Sequence, residues 1–202
     1  MTSSPPPADD ADKRAPDEEP EMPEFSYDLK VPKDRVAVLI GPKGRTKKEL
    51  EAQTRTRIIV DSKEGDVKLQ GKDSLALFAL RGVVKAIGRG FNPEFAQLLL
   101  KQDHVLEVVD IAEYGGKEKN HLVRLRGRVI GADGKARTTI ERVTETFIVV
   151  YGKTIGIIGT TERAMLARRA VEALLEGSTH ASVYKWLEKS AKKVRREEGA
   201  LL

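Results

Sequence analysis

Two short glycine motifs have the residue types and the spacing of a turn that could hold an anion. The first spans Gly41–Gly44 and reads GPKG, and the second spans Gly131–Gly134 and reads GADG. Glycine permits a tight turn and lets a phosphate-bearing chain approach without a Cβ in the way. Each motif precedes a polar segment that predicts a helix, and the start of a helix presents free N–H groups and a positive dipole to an anion.

The two motifs belong to a longer internal repeat. With an offset of 90 positions, Ile58–Val60 falls on Ile148–Val150, and later in the repeat an offset of 88 places Gly71 on Gly159. A slip of two residues is typical of a hairpin loop that differs in length between two copies. We therefore interpret the chain as two copies of one small domain.

Each copy contains segments that predict strands and helices. Helices are predicted directly after the two glycine motifs, over Arg45–Thr54 and Lys135–Thr144. The segment Arg35–Ile40 fits a strand or a short helix by its pattern alone. Short, branched segments bounded by turn residues predict a β-hairpin in each copy, namely Arg57–Val60 with Asp66–Gln70 and Phe147–Tyr151 with Thr154–Ile158.

Longer helices are predicted after each hairpin and at the end of the chain. Asp73 and either Thr160 or Thr161 are suited to cap the first two, and Val183–Glu198 predicts the last. Apolar residues recur at helical spacing along all three. They are Leu75, Phe78, Val83, Val84 and Ile87, then Met165, Leu166, Val171, Leu174 and Leu175, and finally Val183, Trp186, Leu187, Ala191 and Val194.

The charge of the chain is unevenly distributed. The net charge is +5, but residues 1–24 hold eight acidic residues against Lys13 and Arg14, a net of −6, which leaves +11 on residues 25–202. The first segment also holds six of the nine prolines and few large apolar residues, so we predict a disordered acidic tail. The basic surface of the remainder suggests a polyanionic partner or, alternatively, a well-solvated body with surplus lysine.

Several kinds of catalytic and metal chemistry lack the residues that they need. The chain has no cysteine, which excludes disulfides, thiolate ligands and cysteine nucleophiles. Its three histidines have no metal-ligand spacing. Gly152–Thr154 resembles the end of a phosphate-binding P-loop, but that loop needs a glycine at position 147, which is Phe147. We therefore predict no catalytic residue, no cofactor and no metal site.

Membrane and export signals are not visible in the sequence. No apolar stretch approaches the roughly 18 to 20 residues that a membrane span needs. The start of the chain is polar, unlike a secretory signal. The expectation is a cytoplasmic protein with no membrane partner.

The surroundings of both glycine motifs resemble the KH domain. The resemblance rests on Val38–Gly44 and Arg128–Gly134, each followed by a predicted helix, two strands and a long helix. It implies an α+β fold with two tandem type I KH domains, each a three-stranded antiparallel sheet packed by three helices, plus a C-terminal helix. It also makes Arg35–Ile40 the first helix and places the first strands near Phe25–Val31 and Val105–Ala112.

The same resemblance divides the chain and suggests its ligand. The first KH domain with a joining helix would cover residues 25–102, and the second with a basic C-terminal helix would cover residues 103–202. A KH module grips about four nucleotides of single-stranded RNA between its GxxG turn and a neighbouring strand. The chain has only ten aromatic residues, so a binding mode that depends on aromatic stacking is disfavoured.

The predicted RNA-binding residues follow from that groove and from the basic residues around each turn. In the first unit they are Gly41, Pro42, Lys43, Gly44, Arg45, Lys47, Lys48, Ile58, Ile59 and Val60. In the second unit they are Arg126, Arg128, Gly131, Ala132, Asp133, Gly134, Lys135, Arg137, Ile148, Val149 and Val150. Asp133 stands where a phosphate would pass, so the second unit is either a working clamp offset by flanking cations or a KH fold kept for shape or protein contact.

The whole of residues 25–202 is similar to the archaeal relatives of the partner-of-Nob proteins, which are also grouped with the Krr-like KH proteins. The stretch that carries this similarity is VRLRGRVIGADGKARTTIERVTETFIVVYGKTIGIIG. The resemblance implies a small-subunit ribosome assembly factor that binds single-stranded ribosomal RNA near its 3′ end, with a Nob-type endonuclease and pre-ribosomal particles as partners. Two alternatives stay open, an RNA-degradation or other RNA-metabolism adaptor and a protein-binding scaffold with degenerate KH domains.

Overall fold

The computed structural model describes residues 25–115 and 118–200, so the predicted acidic tail lies outside the described residues. The first unit consists of β1 (Phe25–Lys30), α1 (Lys33–Ile40), α2 (Arg45–Thr54), β2 (Arg57–Asp61), β3 (Asp66–Gly71) and α3 (Ser74–Gly88). A joining segment follows, with α4 (Pro93–Ala96) and a 3-10 turn (Gln97–Leu100). The second unit consists of β4 (His104–Asp110), α5 (Ala112–Gly115), α6 (Lys119–Ile130), α7 (Lys135–Thr144), β5 (Phe147–Tyr151), β6 (Thr154–Thr160) and α8 (Thr161–Leu175), and α9 (His180–Ala200) ends the described chain.

Both units fold into a three-stranded antiparallel sheet covered on one face by three helices. The strand orders are β1-β3-β2 and β4-β6-β5, so the third strand in sequence is central in each sheet. β2 and β5, which follow the two glycine turns, are therefore edge strands. The predicted α+β architecture of two repeated units is confirmed, as is the assignment of Arg35–Ile40 to a helix.

The hairpin loops of the two units differ in length, as the change of offset from 90 to 88 in the repeat predicts. In the second unit Tyr151 pairs with Thr154, so only Gly152 and Lys153 form the turn. In the first unit Asp61 pairs with Asp66, and a longer loop connects them. The carboxylate of Asp61 accepts hydrogen bonds from two backbone N–H groups of this loop. The two-residue slip therefore lies at a loop, as expected.

Strand β4 ends earlier than the predicted range Val105–Ala112. The backbone N–H of Ile111 donates to Lys153 in the opposite hairpin turn at 2.9 Å. The carboxylate of Asp110 accepts a hydrogen bond from the N–H of Ala112, also at 2.9 Å, at the start of the short helix α5. The first bond joins the residues that follow Asp110 and Thr154 in the sheet register, and the second begins the turn into α5, so the chain leaves the sheet at this point.

The long helices bury a narrower stripe than the apolar spacing suggests. In α3 the buried residues include Leu77, Leu80, Val83, Val84 and Ile87. Leu75 and Phe78 are 79% and 61% exposed, although both have large apolar side chains. Met165 in α8 and Trp186 in α9 are likewise exposed, at 46% and 40%. Apolar spacing identified these helices correctly but did not tell which face of each one meets a core.

The helix caps agree with the sequence in one of two cases. Asp73 accepts hydrogen bonds from the N–H groups of Leu75 and Ala76, at 2.9 and 3.2 Å, and so caps α3 as predicted. Thr160 occupies the corresponding position before α8, but its side chain makes no capping bond. Its Oγ1 is instead buried without a hydrogen-bond partner in the described structure.

The joining segment fixes the first unit against the open face of the second sheet. Phe91 is fully buried, and a Cβ built at Gly156 in β6 would lie 2.6 Å from its ring. Phe95 in α4 stacks on Phe147 in β5 with ring centroids 4.3 Å apart. Ile158 of β6 belongs to the hydrophobic core of the first unit. The face of the second sheet that points away from its own helices is thus covered by the first unit.

Polar bonds reinforce this junction. Arg35 in α1 donates to the backbone carbonyls of Ile87 and Phe91, at 2.9 and 2.6 Å. The hydroxyl of Tyr151, at the end of β5, donates to the carboxylate of Asp34 at 2.5 Å, and this bond raises the pKa of the tyrosine. Helix α1 of the first unit is therefore tied to an edge strand of the second.

The two sheets differ in their open faces as a result. Strand β3 alternates between exposed and buried residues, whereas β6 is buried along almost its whole length. Lys68 occupies the position in β3 that Gly156 occupies in β6, and Lys68 is exposed. The continuous apolar run TIGIIG is therefore explained by burial on both faces.

We expect Gly156→Ala to destabilise the protein by about 1–3 kcal/mol, because the new methyl group has no room beside the buried Phe91 ring. The equivalent substitution Lys68→Ala removes an exposed side chain and should change the free energy of unfolding by less than about 0.5 kcal/mol. Denaturant-induced unfolding of both variants measures the difference. Equal effects of the two substitutions would contradict the tight junction.

Candidate nucleic-acid interface

The two glycine turns have the same backbone conformation. Gly41 and Gly131 have φ and ψ of 72° and 173° and of 73° and 174°, respectively. Lys43 and Asp133, the third residues of the turns, lie at φ 52° with ψ 26° and 27°. Each turn joins the end of one helix to the start of the next. The repeat identified in the sequence is therefore a repeat of geometry as well as of residue type.

The first glycine of each turn is required by the fold. A dihedral pair near 72° and 173° lies in a region that is essentially restricted to glycine. A Cβ built at Gly41 would also lie 2.2 Å from Oγ1 of Thr46, and one at Gly131 would lie 2.6 Å from Cβ of Ala136. These positions let the second helix pack directly against the end of the first.

The second glycine of each turn has a different environment. A Cβ built at Gly44 or at Gly134 would meet no protein atom within 4 Å. Both residues lie at φ 76°, in the left-handed region. The space around them is open, so a polymer backbone could approach the turn closely there.

The helices that follow the turns begin without a side-chain cap. Gly44 and Gly134 are the N-cap residues of α2 and α7, and neither can supply a side chain that accepts hydrogen bonds from the first N–H groups. An uncapped helix start that faces solvent attracts negative charge, since its N–H groups and the helix dipole point outward. Each turn therefore presents the features of an anion site.

A glutamate in each unit fixes the edge strand beside the turn. Oε1 of Glu51 in α2 accepts a hydrogen bond from the N–H of Ile58 in β2 at 2.7 Å. Oε1 of Glu141 in α7 accepts the equivalent bond from Ile148 in β5 at 2.8 Å. The two glutamates are 90 positions apart, which is the offset of the repeat. This shared offset is visible in the sequence, yet neither glutamate is among the predicted site residues.

Pairs of threonine hydroxyls fix the end of the same helices. Thr54 and Thr56 lie 2.6 Å apart, and Thr144 and Thr146 lie 2.8 Å apart, measured between their Oγ1 atoms. All four residues are buried. Each pair joins the last residue of the helix to the residue just before the edge strand. The recurrent threonines in the repeat therefore hold the strand against the helix.

In the first unit, the predicted cations around the turn differ in whether they already interact with a carboxylate. Lys43 and Lys48 are exposed and form no ion pair with the described side chains. Arg45 donates to Glu49 at 2.6 Å, and this bond raises the pKa of the arginine. Nζ of Lys47 lies 3.9 Å from Oε1 of Glu51. Lys43 and Lys48 are thus available to an anion at once, while the other two already face carboxylates.

The predicted strand residues of the first unit point in alternate directions. The side chain of Ile58 is fully buried in the core, and its N–H is already bound to Glu51. Ile59 is 43% exposed and pairs with Lys68 in the sheet register. Val60 is partly buried. Only the side of β2 away from β3 offers main-chain groups to a ligand, because β2 is an edge strand.

In the second unit, two of the predicted arginines are engaged in the fold. Arg128 donates to the carbonyls of Leu174 and Ser178, at 2.9 and 2.8 Å, and so binds the end of α8. Arg126 donates to Leu122 in its own helix at 3.4 Å. The guanidinium of Arg128 is therefore already bound to backbone carbonyls at the end of α8, and its contact with RNA stays a prediction.

The remaining predicted residues of the second unit stay near its turn. Ala132, Asp133 and Lys135 are exposed. Nε of Arg137 lies 3.6 Å from Oε2 of Glu141. In the edge strand, Ile148 is buried, whereas the next two residues, Val149 and Val150, are partly buried.

Other features of the described residues do not form a second site of this kind. A cleft of about 800 Å³ lies apart from both turns and includes Leu75, Phe78 and Arg81 among its lining residues. Within residues 25–115 and 118–200, no cluster of histidine and carboxylate side chains could hold a metal ion. No helix in these ranges is both long enough and apolar enough to cross a membrane.

Family models match both units. Residues 26–82 match the model described as KH domain. Residues 105–192 match the model described as Eukaryotic type KH-domain (KH-domain type I), which represents the second KH domain of PNO1. Both matches include the glycine turns and the edge strands described above.

Known proteins resemble the chain over most of its length. KH domain-containing protein MJ0443 of Methanocaldococcus jannaschii is 46% identical over 172 residues, which cover 83% of this chain and 75% of the relative. Pre-rRNA-processing protein PNO1 of Debaryomyces hansenii is 32% identical over 136 residues, which cover 67% of this chain and 53% of the relative. The chain thus spans about half the length of that larger relative.

A solved structure is also similar. It is the a/eIF2alpha-aDim2p-rRNA complex from Pyrococcus horikoshii, in which the matching chain is 43% identical. The match has a TM-score of 0.78 and covers 84% of this chain and 95% of that one. The chain belongs to the tandem KH-domain family that includes Dim2p and PNO1.

Proposed function

We propose that this protein is a ribosome assembly factor that binds single-stranded ribosomal RNA of the small subunit near its 3′ end. The observation that carries the proposal is the matched pair of GxxG turns, each followed by an uncapped helix start and flanked by an edge strand. Relatives of the chain are named for pre-rRNA processing, and one was solved in a complex with rRNA. The RNA-degradation and scaffold alternatives have no comparable support.

The proposed mechanism is binding without chemistry. The turn and the helix start hold the phosphates of about four nucleotides, and the outer edge of β2 or β5 meets the bases. We propose that residues 25–102 and residues 103–202 form two separate KH modules that pack together. A Nob-type endonuclease and pre-ribosomal particles are the proposed partners, and the cytoplasm is the proposed compartment.

Crosslinking in cells followed by sequencing of the attached RNA tests the proposal. The expected result is enrichment of the 3′ region of small-subunit rRNA. Enrichment of messenger RNA or of degraded fragments would contradict it and favour an adaptor in RNA turnover.

A first prediction concerns charge at the first turn. Replacing Pro42 and Lys43 by aspartate should lower RNA affinity at least about tenfold, because it places negative charge where the phosphates run. The fold should tolerate aspartate at position 43, since Asp133 adopts the same dihedral angles in the second turn. Fluorescence anisotropy with a single-stranded rRNA fragment measures the loss.

The matched control for this variant is Ser26→Asp with Lys68→Asp on the open face of the first sheet. It changes the net charge by the same amount, and both residues are exposed. If the control lowers affinity as much as the variant does, the turn has no special role.

A second prediction concerns Asp133 itself. Asp133→Lys removes a repulsion and adds an attraction, so it should strengthen RNA binding by about 1 kcal/mol or slightly more, mainly at low salt. Asp28→Lys, an exposed substitution on the open sheet face, is the control of equal charge. An unchanged affinity in a salt titration of Asp133→Lys would mean that the second groove does not hold RNA.

A third prediction separates the two glycines of the first turn. Gly41→Ala should destabilise the fold by about 2 kcal/mol or more, because the methyl group clashes with Thr46 and the dihedral angles exclude alanine. Gly44→Ala meets no protein atom and should cost only about 1 kcal/mol for its left-handed φ. It should nevertheless weaken RNA binding, because the methyl group occupies the space where the RNA backbone approaches.

Thermal or chemical unfolding and RNA titration on both variants measure the two effects separately. A Gly44→Ala variant that retains full RNA affinity would show that the polymer does not come close to this turn.

A further inference from the structure

The two turns share one geometry but differ in charge. Lys43, Arg45, Lys47 and Lys48 give the first turn and its helix four positive charges. The equivalent positions in the second unit are Asp133, Lys135, Arg137 and Thr138, which together carry a net charge of +1. At these four positions, the net charge of the second unit is therefore three units lower, because it has two fewer cations and one additional carboxylate.

In the described part of the chain, helix α9 packs on the second unit, where it contacts α7 and α8. Val183, Leu187 and Ala191 on one side of α9 are buried in the core of that unit. Its first residue, His180, forms a hydrogen bond of 2.8 Å with the carbonyl of Arg128 at the end of α6. Tyr184 interacts with Thr139 in the middle of α7.

The other end of α9 is fixed by charge. Arg195 donates to Glu145, the residue directly after α7, at 3.2 Å. Arg163 in α8 also donates to Glu145, and this bond lowers the pKa of the glutamate. Contacts near the end of α6, in the middle of α7 and directly after α7 thus align α9 with the helix that follows the GADG turn.

The outer face of α9 carries a row of cations. Lys185, Lys192 and Arg196 are spaced by seven and four positions, so they lie on one side of the helix. All three are exposed, and none forms an ion pair with a described side chain. Glu188 is the one exposed carboxylate within the span of this row in the described structure. The three residues, which we call the α9 row, together carry a charge of +3, which equals the difference in net charge between the two sets of four positions.

Cations of α7 continue towards this row. Lys135 and Arg142 lie four positions before and three positions after Thr139, and therefore on the same side of α7 as the residue that meets α9. Both are exposed. The basic surface thus extends from the GADG turn across α7 to α9.

We infer that the α9 row, together with Lys135 and Arg142, binds the phosphates of single-stranded RNA that continues beyond the groove of the second unit. This inference rests on the proposed RNA-binding function and adds the part of the surface that compensates for Asp133. The contacts are to phosphates, so they extend the bound length without reading sequence.

The test compares two variants of equal net charge. One replaces Lys185, Lys192 and Arg196 by glutamine. The control replaces Lys68, Lys85 and Lys101 by glutamine, which are exposed residues that belong neither to the α9 row nor to either glycine turn. Thermal unfolding of each variant checks that the fold is retained.

RNA binding is measured over a range of salt concentrations with two probes from the 3′ end of small-subunit rRNA, of about four and about twelve nucleotides. For the longer RNA, the slope of log affinity against log salt should become shallower by about 2 in the α9-row variant, since each phosphate contact in single strands contributes about 0.7. The affinity for that RNA near 0.1 M salt should fall by roughly ten- to a hundredfold. The affinity for the short RNA should be unchanged.

Three outcomes would overturn the inference. They are an equal loss in the control variant, an equal loss for the short RNA, and no loss in the α9-row variant while the aspartate substitutions at the first turn still weaken binding. If neither those aspartate substitutions nor Asp133→Lys alters RNA binding, the proposed function itself fails.

Discussion

The close contact between the end of one helix and the start of the next is the constraint on which both sites depend. At Gly41 and Gly131 there is no room for a side chain, and the dihedral angles there are accessible only to glycine. This contact fixes the direction of α2 and α7, so that their uncapped first turns face solvent. Glu51 and Glu141 then fix an edge strand to each helix. The same arrangement of turn, helix and edge strand therefore follows from one steric restriction and one hydrogen bond, each present twice.

A second constraint is that the open face of the second sheet packs against the first unit. Phe91 occupies the space that a side chain at Gly156 would fill, and Phe95 stacks on Phe147. The second sheet therefore cannot use its open face for a ligand. The first sheet keeps that face open and lines it with polar residues such as Lys68. The bond between Tyr151 and Asp34 brings this junction to the end of β5, the edge strand of the second groove. The position of the first unit and the shape of the second groove are thus linked.

The sequence predicted the elements well because hydrophobic spacing, turn residues and the internal repeat all depend on local chain geometry. The helix α7 and the strand β5 agree with the predicted ranges to the residue. The sequence could not show which residues each side chain contacts in the folded protein. Leu75 and Phe78 have the spacing of core residues, yet α3 turns that face outward.

Arg128 shows the same limit at the candidate site. It stands in the sequence beside the turn, but its partner is the end of α8, some 46 positions along the chain. The glutamates at positions 51 and 141 were detectable in principle, because both lie in the repeat at the same offset. Their role required the distance to the edge strand, which is a tertiary fact.

The two turns share one backbone conformation and differ in their side chains, and this limits how their functions can differ. A phosphate at either turn would meet a backbone of the same conformation, except that Pro42 has no N–H group whereas Ala132 has one, so most of the short-range part of binding is common to both. The long-range part is not, since Lys43 is replaced by Asp133. Exposed charges are screened within about 8 Å at physiological ionic strength, so this difference is largest at low salt and fades as salt rises. The charge difference between the two grooves therefore begins inside the turns, and in the second unit the exposed cations that could offset Asp133 lie on α7 and α9.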